Sequence, residues 1–323
     1  MYRRLAALLL AVTLLAGCAV RPVVDIRSFM PEPDGFGDSP TPTPQTQYTA
    51  SQRLYGSAGL LAWPTVLVSV YLDEINGAHW TEEAIAQSRR NLKIAVDWIT
   101  EQGRGYGVEP KIYYDDGMAD NMLFYHTGVA QKFLGSAEST ESEEVETIID
   151  QMIAELDTDA LHAQYGTSSV GFLFFLPLAG CSYTMVHYSD EGDEAYYEYS
   201  ILYRDDVFSE PETFEIPAVY AHEILHMFGA PDLYQGSVDV YVTEELSAWV
   251  EQKWPDAIMI DTGGRDGADS YERIDRSICP LTAYRLGWIT TFDGMEQWPD
   301  ISVIPPGAFA GELVGSTVLP GAV

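Results

Sequence analysis

Apolar positions along the chain alternate between a period of two and a period near 3.6, and the changes of period mark out the elements. Pro64 to Leu72 is apolar almost without a break, which predicts a buried strand ending at Asp73 and the turn residues Asn76-Gly77. Thr81 then caps a helix that should run to about Gln102. Glu82 and Glu83 fall in its first turn, Ile85, Leu92, Val96 and Ile99 form one stripe, and Gly103 ends it. Lys111 to Tyr114 reads as a short strand before the turn Asp115-Asp116-Gly117. Thr140-Glu141-Ser142-Glu143 has the pattern of a capping box, and Val145, Ile148, Ile149, Met152, Ile153 and Leu156 continue it as a second helical stripe.

Val170 to Leu178 predicts a central strand, apolar on both faces. Ser182 to Tyr188 follows as an adjacent antiparallel or edge strand, and Glu198 to Tyr203 as a further strand. In Thr213 to Phe228 a helix should begin close to Pro217, because proline is tolerated only in a first turn. Ala218, Ala221, Leu225 and Phe228 can bury one face of it, which leaves His222 and His226 on another. Beyond Asp232 the pattern loosens into a short helix from Thr243 to about Lys253, a tight apolar turn from Pro255 to Ile260, and a Gly/Asp-rich loop from Asp261 to Asp269. A late helix from Leu281 to Trp288 should pack under the His222–Asp232 stretch.

The N-terminus has a different character. Met1-Tyr2-Arg3-Arg4 and the apolar run Leu5 to Leu15 read as an export signal, too short for a comfortable membrane span. Leu15-Ala16-Gly17-Cys18 resembles the lipobox of bacterial lipoproteins, which implies removal of the signal (1–18) and lipidation of Cys18. Residues 19–57, with Pro40-Thr41-Pro42-Thr43-Pro44, carry no apolar period and read as a disordered tether. Residues 58–323 are then the folded part, with no internal repeat.

Composition narrows the function classes. A formal net charge of −32, from 49 Asp and Glu against 17 Lys and Arg, argues against nucleic acid or any polyanion as partner and suits a solvated surface outside the cytoplasm. Of the three cysteines, Cys181 and Cys279 could pair in an oxidising compartment. Without a placed base neither is a nucleophile.

The densest chemistry lies in Ala221 to Tyr234. His222 and His226, four apart on a helix, project from the same face and can grip one metal ion. Glu223 is offset round the helix, where it can act on a water without being a ligand. Gly229 can take positive φ and turn the chain sharply off the helix end, and that turn could bring Asp232 back as a third ligand. A helix-ending Pro231-Asp232 turn is the rival reading of Asp232, with His187 as the best alternative ligand. His79, His126 and His162 fall near turns or helix ends and read as structural, and the Asp261–Asp269 loop as a solvated acidic loop rather than a calcium site.

The pattern His-Glu-x-x-His-x-x-Gly-x-x-Asp from His222 to Asp232 resembles the extended zinc signature of the metzincin metallopeptidases, in the variant with Asp as third ligand, and is similar to the snapalysin family. The continuation Gly229 to Tyr234 also resembles a group of bacterial lipoproteins that carry this signature. The resemblance implies an α+β, zincin-like fold: a twisted mixed sheet with helices, an active-site helix, then an irregular lower subdomain. The predicted element order fits it, with the 140–158 helix as an insertion. It implies Zn2+ held by His222, His226 and Asp232, Glu223 as general base, Gly229 as the turn glycine, and Met259 as the hydrophobic floor beneath the metal. At that floor only Ile258-Met259 matches. The usual preceding serine is absent, and Asp261 stands where some metzincins carry a tyrosine ligand.

The implied activity is zinc-dependent endopeptidase hydrolysis of a peptide or protein substrate, by a protein held on the bacterial cell envelope through its lipid. An extended peptide would pair with the Ser182–Tyr188 strand. The alternative is a catalytically silent lipoprotein that uses the same scaffold to bind a peptide, glycan or protein partner. Hydrolysis of a non-peptide amide is a third possibility.

Overall fold

A computed structural model of the chain describes residues 57–58, 60–62, 64–117, 122–130, 143–185, 197–208, 213–237, 242–264, 270–299 and 301. The export signal with Cys18, nearly all of the tether, Thr140 of the capping box and His187 lie outside them.

Strands β1 (Thr65–Glu74), β2 (Ile112–Tyr113), β3 (Phe124–Val129), β4 (Ser169–Gly180), β5 (Tyr183–Met185), β6 (Tyr199–Asp206) and β7 (Thr213–Phe214) form one sheet in the order β2-β1-β4-β6-β5. β2 pairs with the first residues of β1 and β3 with its second half; β7 pairs with the end of β6. Neighbours in the body of the sheet run parallel, while β5 and β7 are antiparallel to β6.

The continuous apolar runs of β1 and β4 follow from burial on both faces. On one face Val66, Val68, Val70, Phe172 and Phe174 pack with Ile149 and Ile153 of α2 (Glu143–Glu155) and Leu161 of α3 (Thr158–Tyr165). On the other, Leu67, Tyr71, Leu173 and Phe175 join a larger core with α1 (Glu82–Gly105) and α4 (Pro217–Met227). That core extends through α5 (Glu244–Lys253), the Ala257–Ile260 turn and α6 (Pro280–Arg285). A mixed sheet with helices on both faces agrees with the α+β class expected. Among the described residues no helix is long and apolar enough to cross a membrane.

Three local expectations are corrected. Gly103 does not end α1: the helix continues to Gly105, and the left-handed residue is Gly107, with φ 77°. Gly103 is needed for close approach, because a Cβ there would lie 2.5 Å from Pro110 Cδ. His126 stands in β3, not near a turn, and its Nε2 lies 2.9 Å from Asp73 Oδ2. The 140–158 helix is interrupted after Glu155, and Asp157 caps the separate α3. β4 runs through Pro177 as expected and on to Gly180; the proline has no N–H to give, and the register against β6 shifts between Leu176 and Ala179.

The Gly103 contact gives a test. Alanine in a helix interior gains up to about 1 kcal/mol over glycine, but the rigid Pro110 ring cannot move aside cheaply, and overpacking costs about 1–3 kcal/mol. Gly103→Ala is therefore expected to lower the urea midpoint of unfolding; a raised midpoint would show that helix propensity wins.

Candidate metal centre

α4 begins at Pro217, whose missing N–H costs nothing at a first helical position. Asn91 Nδ2 donates to Glu215 O at 2.6 Å and fixes the entry to the helix. Within α4, Tyr220, Ala221, Ile224, Leu225 and Met227 are buried, and Ser88 Oγ lies 3.1 Å from Tyr220 Oη and 3.0 Å from Tyr71 Oη, tying α4 to α1 and β1. The helix is thus fixed on several sides, with the half-buried His222 and His226 on its remaining face.

Its C-terminal end is a Schellman motif. Gly229 N–H bonds His226 O at 2.9 Å and Ala230 N–H bonds Leu225 O at 3.1 Å, with Gly229 at φ 98°. This positive φ is what a glycine supplies without strain, as expected of Gly229. The reversed chain is then held from two sides: Leu233 N–H donates to Met259 O at 2.8 Å, and the buried Arg285 of α6 donates through Nε to Gly229 O at 3.2 Å. The late helix thus packs under the turn as expected. Met259 is itself fully buried in the same core.

The outcome is a convergent triangle. His222 Nε2 and His226 Nε2 are 3.0 Å apart, and Asp232 Oδ1 lies 3.1 Å from the first and 3.2 Å from the second. His222, His226 and Asp232 are the group among the described residues whose ligand atoms could hold a metal ion, and Glu223 is not part of it.

The outer ring nitrogens fix the chemistry of this triangle. His222 Nδ1 faces Ile258 O at 3.1 Å and His226 Nδ1 faces Ala230 O at 2.7 Å. A carbonyl only accepts, so each Nδ1 carries the hydrogen, and each neutral ring then presents the lone pair of Nε2 inward. Two lone pairs and a carboxylate oxygen at about 3 Å repel one another unless positive charge lies among them. A proton on the imidazoles supplies such charge: burial pushes the Asp232 carboxyl up, but protonated His226 and His222, through charge and hydrogen bonds, outweigh it and hold the carboxyl well below the usual carboxylate range. Tyr234 Oη donates to Asp232 Oδ2 at 2.9 Å, which leaves Oδ1 for the triangle.

A tetrahedral zinc with ligands at about 2.05 Å needs neighbouring ligand atoms about 3.3 Å apart. Separations of 3.0–3.2 Å are near that edge length, so these residues fit the ion. Two imidazoles and a carboxylate also suit non-haem iron, which metal analysis distinguishes.

Glu223 is held elsewhere: Thr184 Oγ1 of β5 lies 2.7 Å from its Oε2, and both Thr184 and Ser200 reach its backbone carbonyl. Thr184, Ser200 and Tyr234 carry no motif of their own; alternation along β5 and β6 sets which face they share, but not that α4 lies there. The cysteines play a smaller part. Both are free thiols, Cys181 half-buried and Cys279 buried. Burial pushes the Cys181 thiol up to about 11, with Glu223, Glu215, Asp206 and Asp232 adding to it, so it stays a protonated thiol near neutral pH, and it is not part of the convergent group. Asp261 pairs with Arg276 rather than approaching the triangle. The chain matches no protein-family model and no curated protein.

Proposed function

We propose that this protein is a zinc-dependent endopeptidase of the metzincin type, tethered to the bacterial cell envelope through a lipid on Cys18. The observation that carries the reading is the triangle of His222 Nε2, His226 Nε2 and Asp232 Oδ1, each an inward-facing acceptor, with a carboxylate next in sequence that stays outside it.

His222, His226 and Asp232 would hold the ion. When bound, zinc supplies a Lewis acid that polarises the scissile carbonyl and acidifies the attacking water. Glu223 takes a proton from that water and later delivers it to the leaving amine. Met259 forms an apolar floor, and its turn accepts the Nδ1 hydrogen of His222 through Ile258 O, fixing that ring's tautomer. β5 stands at one end of the described strand order, and in this reading an extended peptide adds there as one more strand. The antiparallel edge strand and the irregular region after Asp232 support the metzincin reading of the fold.

The test is metal content followed by cleavage. The purified protein is expected to carry about one zinc per chain and no iron, and to cleave casein or members of a peptide library. A chelator should remove both zinc and cleavage, and added zinc should restore both. Stoichiometric zinc with no peptide cleaved would instead favour the silent peptide-, glycan- or protein-binding reading.

A further inference from the structure

Thr184 occupies the middle of β5, and the pleat turns its side chain towards α4, while Tyr183 and Met185 pack against the core on the opposite face. Its Oγ1 lies 2.7 Å from Glu223 Oε2 and 2.9 Å from Glu223 O. Ser200, its cross-strand partner on β6, is fully buried; its Oγ is 2.8 Å from Thr184 Oγ1 and 3.3 Å from Glu223 O.

The hydroxyls have one hydrogen each, which limits the arrangement. An ionised carboxylate is a stronger acceptor than a peptide carbonyl, so the Thr184 hydrogen goes to Oε2. The Ser200 hydrogen then goes to Thr184 Oγ1 or to Glu223 O, and either choice keeps Thr184 turned towards the carboxylate. Three chain segments, β5, β6 and α4, thus meet on one side chain.

We propose that Thr184 is a positioning residue for the general base: it fixes Oε2 of Glu223 and leaves Oε1 as the oxygen that exchanges the proton, while Ser200 holds Thr184 in place. This rests on the reading of Glu223 as general base. A glutamate has several rotatable bonds between backbone and carboxylate, and a misplacement of about 1 Å can cost on the order of 100-fold in rate. Because β5 is also the proposed peptide-pairing edge, Thr184 links the strand that would receive substrate to the group that moves its proton.

The test uses the full chain with Thr184→Val, which keeps the β-branch but removes the donor, and Thr184→Ser, which keeps the donor. Thr184→Ala serves as a second donor-free variant in case the valine disturbs folding. Three quantities are measured: kcat and KM for peptide cleavage, zinc content, and the infrared carboxylate stretch of Glu223, assigned from the difference between wild type and Glu223→Gln. The donor-free variants are expected to lose roughly 10- to 100-fold in kcat with KM within about 2-fold, to keep their zinc, and to shift the assigned band. Thr184→Ser should stay within about 3-fold of wild type and leave the band in place. An unmoved band and unchanged kcat in Thr184→Val would overturn the proposal, as would a serine variant as impaired as the valine one. If the wild type cleaves nothing, the hydrolytic reading falls, and the band alone then decides whether Thr184 holds Glu223.

Discussion

Glu223→Gln is expected to lower kcat for peptide cleavage by on the order of 1,000-fold or more while zinc remains at one per chain. The substitution changes little besides protonation chemistry. Glutamine has the same length, and its amide oxygen can still accept from Thr184 Oγ1, which lies 2.7 Å from Oε2 in the native protein. What it cannot do is accept a proton from the attacking water and return it to the amine. General acid–base contributions are typically about 100- to 10,000-fold, and here one carboxylate would serve both steps, which places the expectation in the upper part of that range. Zinc should stay because Glu223 is not among the residues whose ligand atoms converge. Measured kcat and zinc content check both halves, and full activity in this variant would remove Glu223 from the mechanism. Loss of zinc together with activity would make it a ligand instead.

The triangle was legible in the sequence because every part of it is local. The spacing of His222 and His226 is a property of the helix, and Gly229 turns the chain within one residue through two Schellman hydrogen bonds. Asp232 then has only three residues to travel. Helix α1 and strands β1 and β4 were readable for a similar reason, since their stripes and runs record which faces are buried. What was not legible depends on which segments meet across the sheet. Thr184 reaches Glu223 only because β5 returns antiparallel beside β6, at a register that sets Thr184 opposite Ser200. The half-buried β3 shows no apolar run, because one edge of the sheet does not bury it fully. Gly103 looked like a stop and is a contact; only the position of Pro110 tells the two apart.

Asp232→Ala is expected to weaken zinc binding by at least about 100-fold, beyond what loss of an outer-shell partner alone would cost. The reasoning starts from charge. The triangle brings two neutral imidazoles and one carboxylate to a divalent ion, and the carboxylate is its single anionic member. It is also held in place from outside by Tyr234 Oη at 2.9 Å, so its orientation is set before metal arrives. Removing it leaves two nitrogens, too few to hold zinc tightly against water. The effect can be read without any activity assay. At free zinc 100-fold above the wild-type Kd, binding stabilises the fold by about 2.7 kcal/mol, while a variant bound 100-fold more weakly gains about 0.4 kcal/mol. Wild-type protein should therefore show a clear zinc-dependent rise in Tm that Asp232→Ala nearly lacks, and competition with a chromophoric chelator should give the same ratio. Tyr234→Phe should fall between them, because Asp232 remains but loses the bond that directs Oδ1 inward. If Asp232→Ala kept full affinity, the third ligand would have to come from another residue such as His187, and the approach of Asp232 Oδ1 to both imidazoles would be an ion-pair contact alone.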